Sequence, residues 1–152
     1  MRNFKKIEYS NEFDEIERII QYNLSNRGLD KIQLHGQMEN CVSSLSISNT
    51  AVIVTGFPVK SAGIGETDGP PGALALAYAL EKLNKKVIIV TDNYTEALIQ
   101  AGVKLLQLDA EIYIFEEGRE EEQSEEIINK YKPEHIIAIE RPGRSWDNKC
   151  YS

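Results

Sequence analysis

Three short stretches concentrate the residues that could do chemistry. Glu66-Thr67-Asp68 lies between Gly63-Ile64-Gly65 and Gly69-Pro70-Pro71-Gly72, Asp92 ends one apolar run, and Glu140-Arg141-Pro142-Gly143-Arg144 follows another. Carboxylates at Glu66, Asp68, Asp92 and Glu140 suit proton transfer or a metal ion, while the forked donors of Arg141 and Arg144 match a carboxylate ligand. The alternatives are structural. Thr67 or Asp68 is also a good helix cap, and an arginine–carboxylate network can simply tie loops together.

The elements around these stretches place them. Ala51-Val52-Ile53-Val54 is rich in stiff β-branched residues and reads as a parallel strand buried on both faces. Pro71 suits a first helical turn, and Gly72 to Leu80 continues as strong helix former. The loop between strand and helix therefore lies at the carboxyl end of the sheet, where open α/β folds bind ligands. The helix start adds free N–H groups and a positive dipole end, which favour an anion or a developing oxyanion. After the turn Asn84-Lys85-Lys86, the strand Val87 to Val90 completes a right-handed βαβ unit and brings Asp92 beside the first loop.

Farther on, Tyr94 to Ala101 reads as a short helix closed by Gly102, and Ala110 to Phe115 as a strand. Glu121 to Tyr131 is a helix with Ile127, Ile128 and Tyr131 inward; its glutamate-rich side is a solvated face with no assigned function. His135 to Ile139 is a fourth buried strand leading into Glu140. Toward the amino end, Asn11 with Asp14 resembles a helix cap, Phe13, Ile16, Ile19, Ile20 and Leu24 recur at helical spacing, and Arg27-Gly28 is a stop. One or two further short helices are expected within Leu29 to Leu34 and Met38 to Leu45.

The pattern implies an α/β protein: a three-layer, Rossmann-like open parallel sheet of about four strands, order 3-2-1-4, with an N-terminal helical segment. One domain over 1–152 is expected, helical over 1–48 and built of βα units over 49–152. In this order the first and fourth strands are neighbours, so ETDGPPG and ERPGR face one crevice although they lie far apart in the chain. A nucleotide- or dinucleotide-binding protein is the competing reading, because Asp92 stands ~20 residues beyond a glycine-rich turn, where such folds hold a ribose-binding acid. Against it, Asp68 occupies the place of the third glycine of GxGxxG, and the strand-to-helix connection is much longer than that turn.

A formal charge of −7 argues against nucleic-acid and anionic-membrane surfaces. The apolar runs are far short of the ~20 residues of a membrane span, and the amino end has no apolar signal core, so a cytoplasmic protein is expected. Cys41 and Cys150 read as free thiols, and neither His35, with only Cys41 nearby, nor His135 has metal-ligand spacing. No cofactor is expected, although the carboxylates leave a divalent metal open. The expected partner is a small carboxylate substrate.

TGFPV, ETDGPPGALALAYALEKL and IAIERPGR together resemble the characteristic blocks of the D-glutamate cyclase family, from about Ala51 to the last residue. The resemblance implies conversion of D-glutamate to 5-oxo-D-proline by internal condensation and loss of water. It also implies roles: Arg141 or Arg144 for a substrate carboxylate, Asp68 or Glu140 for proton transfer with Glu66 as a further acid, and the amides of Gly69 and Gly72 for the oxyanion. Thr55, Gly56, Thr67 and Asp92 would complete the substrate-binding set. Family members continue past the tyrosine matching Tyr151 into an MRG segment and a GDGGNE block, which this sequence lacks. The expectation is therefore a truncated domain that turns D-glutamate over poorly or not at all until the second half is supplied, or a non-catalytic binding module. Its last strand would present an open edge that invites self-association.

Overall fold

In a computed structural model of the chain, residues 10–24, 28–32, 34–147 and 149 are described, with backbone alone at 10 and 11. The chain divides into two compact units, Met1–Ile47 and Ser48–Ser152.

The first unit contains α1 (Ser10–Ile20), a 3₁₀ turn (Leu29–Lys31) and α2 (Met38–Ile47). Glu17 on α1 is buried, and its carboxylate accepts the backbone N–H groups of Gly36, Gln37 and Met38, each at 2.7 Å. These are orphan donors at the start of α2, so a side chain from the preceding helix caps it. The side chain of Asn11, the expected cap of α1, lies outside the described residues, as do Arg27 and Cys150. Cys41 is a free, exposed thiol.

The second unit runs β1 (Thr50–Thr55), β2 (Pro58–Val59), β3 (Ile64–Gly65), α3 (Gly69–Lys82), β4 (Lys86–Asp92), α4 (Glu96–Leu106), β5 (Glu111–Phe115), α5 (Glu120–Tyr131) and β6 (His135–Ile139). Four strands form a parallel sheet in the order β5-β4-β1-β6, which is the expected 3-2-1-4. Register is held at the base of the sheet, where the Glu134 carboxylate accepts the N–H groups of Asn49 and Thr50 and the Glu134 N–H donates to Thr50 O at 3.0 Å. Strand alternation sends Val52, Ile88 and Val90 to one face, where they cluster with Ile127 of α5, and Ala51, Ile53, Val87 and Ile89 to the other, against α3 and α4. On α3 the buried residues Ala73, Leu74, Ala77 and Leu80 form the stripe that meets the sheet.

Several local expectations are corrected. Gly102 does not end α4, which continues to Leu106; a Cβ at Gly102 would lie 2.1 Å from Leu74 Cδ1, so this glycine permits close packing of α4 on α3. Ile128 does not face the sheet but is 48% exposed, and Gln123 takes the inward position, its side chain accepting from Glu116 N–H. β6 is an edge strand, not one buried on both faces: Ile136 is 58% exposed, because α5 packs over β1, β4 and β5 on that face and leaves β6 open. The connection between β1 and α3 contains the antiparallel β2–β3 hairpin, unforeseen because two-residue strands leave no periodicity to read.

Candidate functional site

β1 and β6 are adjacent and parallel, so both sequences that follow them emerge at one end of the sheet. Two contacts join them. The first is at Gly69, the opening residue of α3, where a Cβ would lie 2.6 Å from Glu140 Cβ and 3.1 Å from Thr55 Oγ1. The missing side chain forms a notch that seats Glu140 over the start of α3. Glu140 itself adopts φ +46°, a left-handed conformation that costs a non-glycine residue about 1–3 kcal/mol. Its Cβ and Cγ thereby lie against Gly69 at the start of α3, while the residue as a whole stays exposed.

The second contact is made by Arg141, whose Nη1 donates to Asp92 Oδ2 and, at 3.1 Å, to Gly56 O. Asp92 is buried, and its Oδ1 accepts the N–H groups of Tyr94 and Thr95, each at 3.0 Å. One aspartate therefore orders the β4–α4 turn with one oxygen and the arginine with the other. Gly56, at φ +125°, permits this crowding, because a Cβ there would lie 2.9 Å from Asp92 Oδ2 and 3.0 Å from both Thr91 Oγ1 and Thr95 Oγ1. Among the described residues the buried hydroxyls of Thr55, Thr91 and Thr95 have no hydrogen-bond partner, and they lie beneath Gly69, in the case of Thr55, and beneath Gly56, in the case of Thr91 and Thr95.

The remaining candidates are less closely engaged. Thr67 and Asp68 are exposed, and Asp68 precedes α3 without a side-chain capping bond, so capping by Asp68 has no geometric support. Glu66 is half-buried after the hairpin, its N–H donating to Phe57 O. The amides of Gly69 and Gly72 are the only N–H donors in the stretch 69–72, because Pro70 and Pro71 have none. Arg144 is exposed, and its charge is felt at Glu120. Thr55 is fully buried and supports the site from beneath. Gly63-Ile64-Gly65 belongs to the hairpin, not to the first turn of α3, and Asp92 has both oxygens engaged, so the dinucleotide reading loses its glycine turn and its ribose acid. Among the described residues, no group of three or more His, Cys, Asp or Glu side chains could hold a metal ion.

Arg141 and Asp92 also line a cleft of about 590 Å³ at this end of the sheet. Its other walls are the hairpin, through Lys60, the β4–α4 turn, through Tyr94, and the β5–α5 connection, through Phe115, Glu117 and Glu120. Glu120 is held below the usual carboxylate range by its own N–H and that of Gly118, with smaller help from Arg144 and Arg141. Sequence reasoning did not single out Lys60, Phe115, Glu117 or Glu120. The available signal was position, since the loop after every parallel strand reaches the same end of the sheet.

The model of the family described as "D-glutamate cyclase-like, C-terminal" matches residues 16–152. A human relative, "D-glutamate cyclase, mitochondrial", is 30% identical over 156 aligned positions, covering 94% of this chain. The chain spans 25% of that relative's length. No helix among the described residues is long and apolar enough to cross a membrane. ETDGPPG and ERPGR, the loops that meet at the Gly69 notch and the Arg141–Asp92 pair, lie inside the matched region, and this chain belongs to the D-glutamate cyclase-like family.

Proposed function

We propose that this chain acts on D-glutamate, supporting its intramolecular dehydration to 5-oxo-D-proline. The observation that carries the reading is the meeting of ETDGPPG and ERPGR: Glu140 is seated against Gly69 while Arg141 is held by Asp92 and Gly56. The named activity of the human relative supplies the substrate. In the reaction a C–N bond forms between the amine and the γ-carboxyl carbon, and a C–O bond breaks. Two of the three ammonium protons end on the departing oxygen, which leaves as water.

Each requirement has a candidate. Arg141 spends Nη1 on the protein, which leaves Nε and Nη2 for a substrate carboxylate. Glu140 accepts a proton from the ammonium and returns one to the leaving oxygen, with Asp68 and Glu66 as the further acids of the same rim. Oxyanion charge falls to the N–H groups of Gly69 and Gly72, aided by the α3 dipole. Asp92 acts through Arg141 as a positioning residue.

The test is incubation of the chain with D-glutamate and chromatographic detection of 5-oxo-D-proline. Product should form slowly, as expected of a chain that spans 25% of the relative's length, and should fall at least about 100-fold in Glu140→Gln, as expected when a general acid–base group is lost. No product from a folded wild-type chain, or undiminished product from Glu140→Gln, would refute the reading.

A further inference from the structure

The cleft at the carboxyl end of the sheet is graded in depth. At its floor Arg141 and Asp92 pair with side chains 25% and 11% exposed, whereas at its rim Lys60 and Glu117 pair at 3.1 Å with side chains 67% and 80% exposed. Glu120 is the remaining charged group of the lining, and every charged side chain except the rim pair is also tied to backbone. Asp92 accepts the N–H groups of Tyr94 and Thr95, Glu120 accepts that of Gly118, and Arg141 donates to Gly56 O. Among the described residues, the side chains of Lys60 and Glu117 hydrogen-bond only to each other.

The two walls that carry this pair are fixed. The β2–β3 hairpin is anchored by the Gly65 N–H to Tyr94 O bond of 2.9 Å, and Gly65 lies so close to the β4–α4 turn that a Cβ there would be 2.2 Å from Thr95 Oγ1. The β5–α5 connection is pinned by buried Gln123, which accepts Glu116 N–H at 2.8 Å and donates to Ile114 O at 3.4 Å. What can move is the pair itself, because an exposed ion pair is weak enough to open and re-form, and its long side chains rotate without disturbing either wall. We infer that Lys60 and Glu117 form a side-chain strap across the mouth of the cleft, shut by their ion pair and opened by rotation, that gates access to Arg141. The strap regulates the site of the cyclase-like reading and rests on that reading for what enters, but its opening needs no ligand.

Phenylglyoxal, a small, neutral, arginine-specific reagent, tests this on the 152-residue chain, with the rate of Arg141 modification read by tandem mass spectrometry against that of exposed Arg144. Lys60→Met and Glu117→Gln should each raise the relative rate about two- to fivefold, the change available when a weak exposed pair no longer holds the strap shut. An electrostatic influence on the Arg141 guanidinium would instead drive the two variants in opposite directions, since one removes a cation and the other an anion. The exchanged pair Lys60→Glu with Glu117→Lys should return the rate to that of wild type, and Glu121→Gln, outside the cleft, should leave it unchanged. Thermal unfolding confirms that each variant folds. No rise in either single variant, changes of opposite sign, or an exchanged pair as reactive as the single variants would overturn the inference. A gated Arg141 in a chain that forms no 5-oxo-D-proline defeats the proposed reaction and spares the strap; turnover with an ungated Arg141 does the reverse.

Discussion

A Cβ added at Gly69 would press on Glu140 Cβ at 2.6 Å, and neither atom can rotate away because both are bonded directly to backbone. Alanine is favoured over glycine in a helix by up to ~1 kcal/mol, whereas overpacking a tight contact costs ~1–3 kcal/mol. Overpacking wins, so Gly69→Ala should lower stability by about 1–2 kcal/mol in urea denaturation and weaken ligand binding by displacing Glu140. Gly72→Ala is the control: its Cβ would meet only Ile139 Cγ2 at 3.6 Å, an ordinary contact, so stability should hold or rise. A second prediction concerns the strained φ of Glu140. Glu140→Gly relieves it, so the variant should be as stable as wild type or up to about 1 kcal/mol more so, while product formation is lost; a clear destabilisation would mean that the side chain holds the fold and not the chemistry. The residue types of both loops were legible in the sequence because Pro, Gly, Asp and Arg are costly to arrange without purpose. The notch was not, because the contact between Gly69 and Glu140 depends on the left-handed backbone at Glu140, which neither the strand order nor the loop composition announces.

At the level of elements, α3 and α4 approach closely because Gly102 leaves room for Leu74. Sequence reasoning took Gly102 for a helix stop, since glycine ends helices more often than it serves their packing. Gly102→Ala should cost about 1–3 kcal/mol in wild type, but in a Leu74→Ala background, with the obstructing methyl groups removed, it should be neutral or stabilising. Additive losses in that double-mutant cycle would show that Leu74 is not the obstacle. The α1–α2 pair is held differently, by Glu17 over the first turn of α2. Its carboxylate titrates below the ordinary value of 4.5, chiefly because the Gly36 and Met38 N–H groups bond to it, with Gln37 adding to them. A depressed acid stabilises the folded form above its unfolded value and loses that contribution as pH falls through the lower folded value. The Gly36, Gln37 and Met38 amides should therefore keep hydrogen-exchange protection at pH 6 and lose it first on acidification, and Glu17→Gln should weaken that protection already at pH 6. Protection unaffected by the substitution would refute the clamp. No sequence pattern announces it, because the acceptor sits on one helix and the donors start the next.

For the whole molecule, the two edges of the sheet differ in their defences. At the β5 edge, Glu111 is paired with Lys86 at 2.7 Å and accepts from the Tyr131 hydroxyl at 2.6 Å, which places charge along the strand and pushes its carboxyl down to about 2. β6 has no such guard: His135-Ile136-Ile137-Ala138-Ile139 contains neither lysine nor proline, and Ile136 and Ala138 are exposed on the face that α5 leaves open. An apolar edge with unpaired backbone groups is a template for strand addition, and a second copy offers an identical one. Opposing this is the charge of −7 on each copy, a repulsion that salt screens within ~8 Å at physiological ionic strength. The predicted behaviour is association that increases with protein concentration and with added salt, the reverse of an interface built on ion pairs. Ile136→Lys places a charge on the exposed face of the edge, where it should change folding stability by less than about 0.5 kcal/mol yet abolish association. Sedimentation equilibrium at two salt concentrations decides the matter: a wild-type monomer at high protein and high salt, or an Ile136→Lys variant that associates as wild type does, would show that β6 is not the contact.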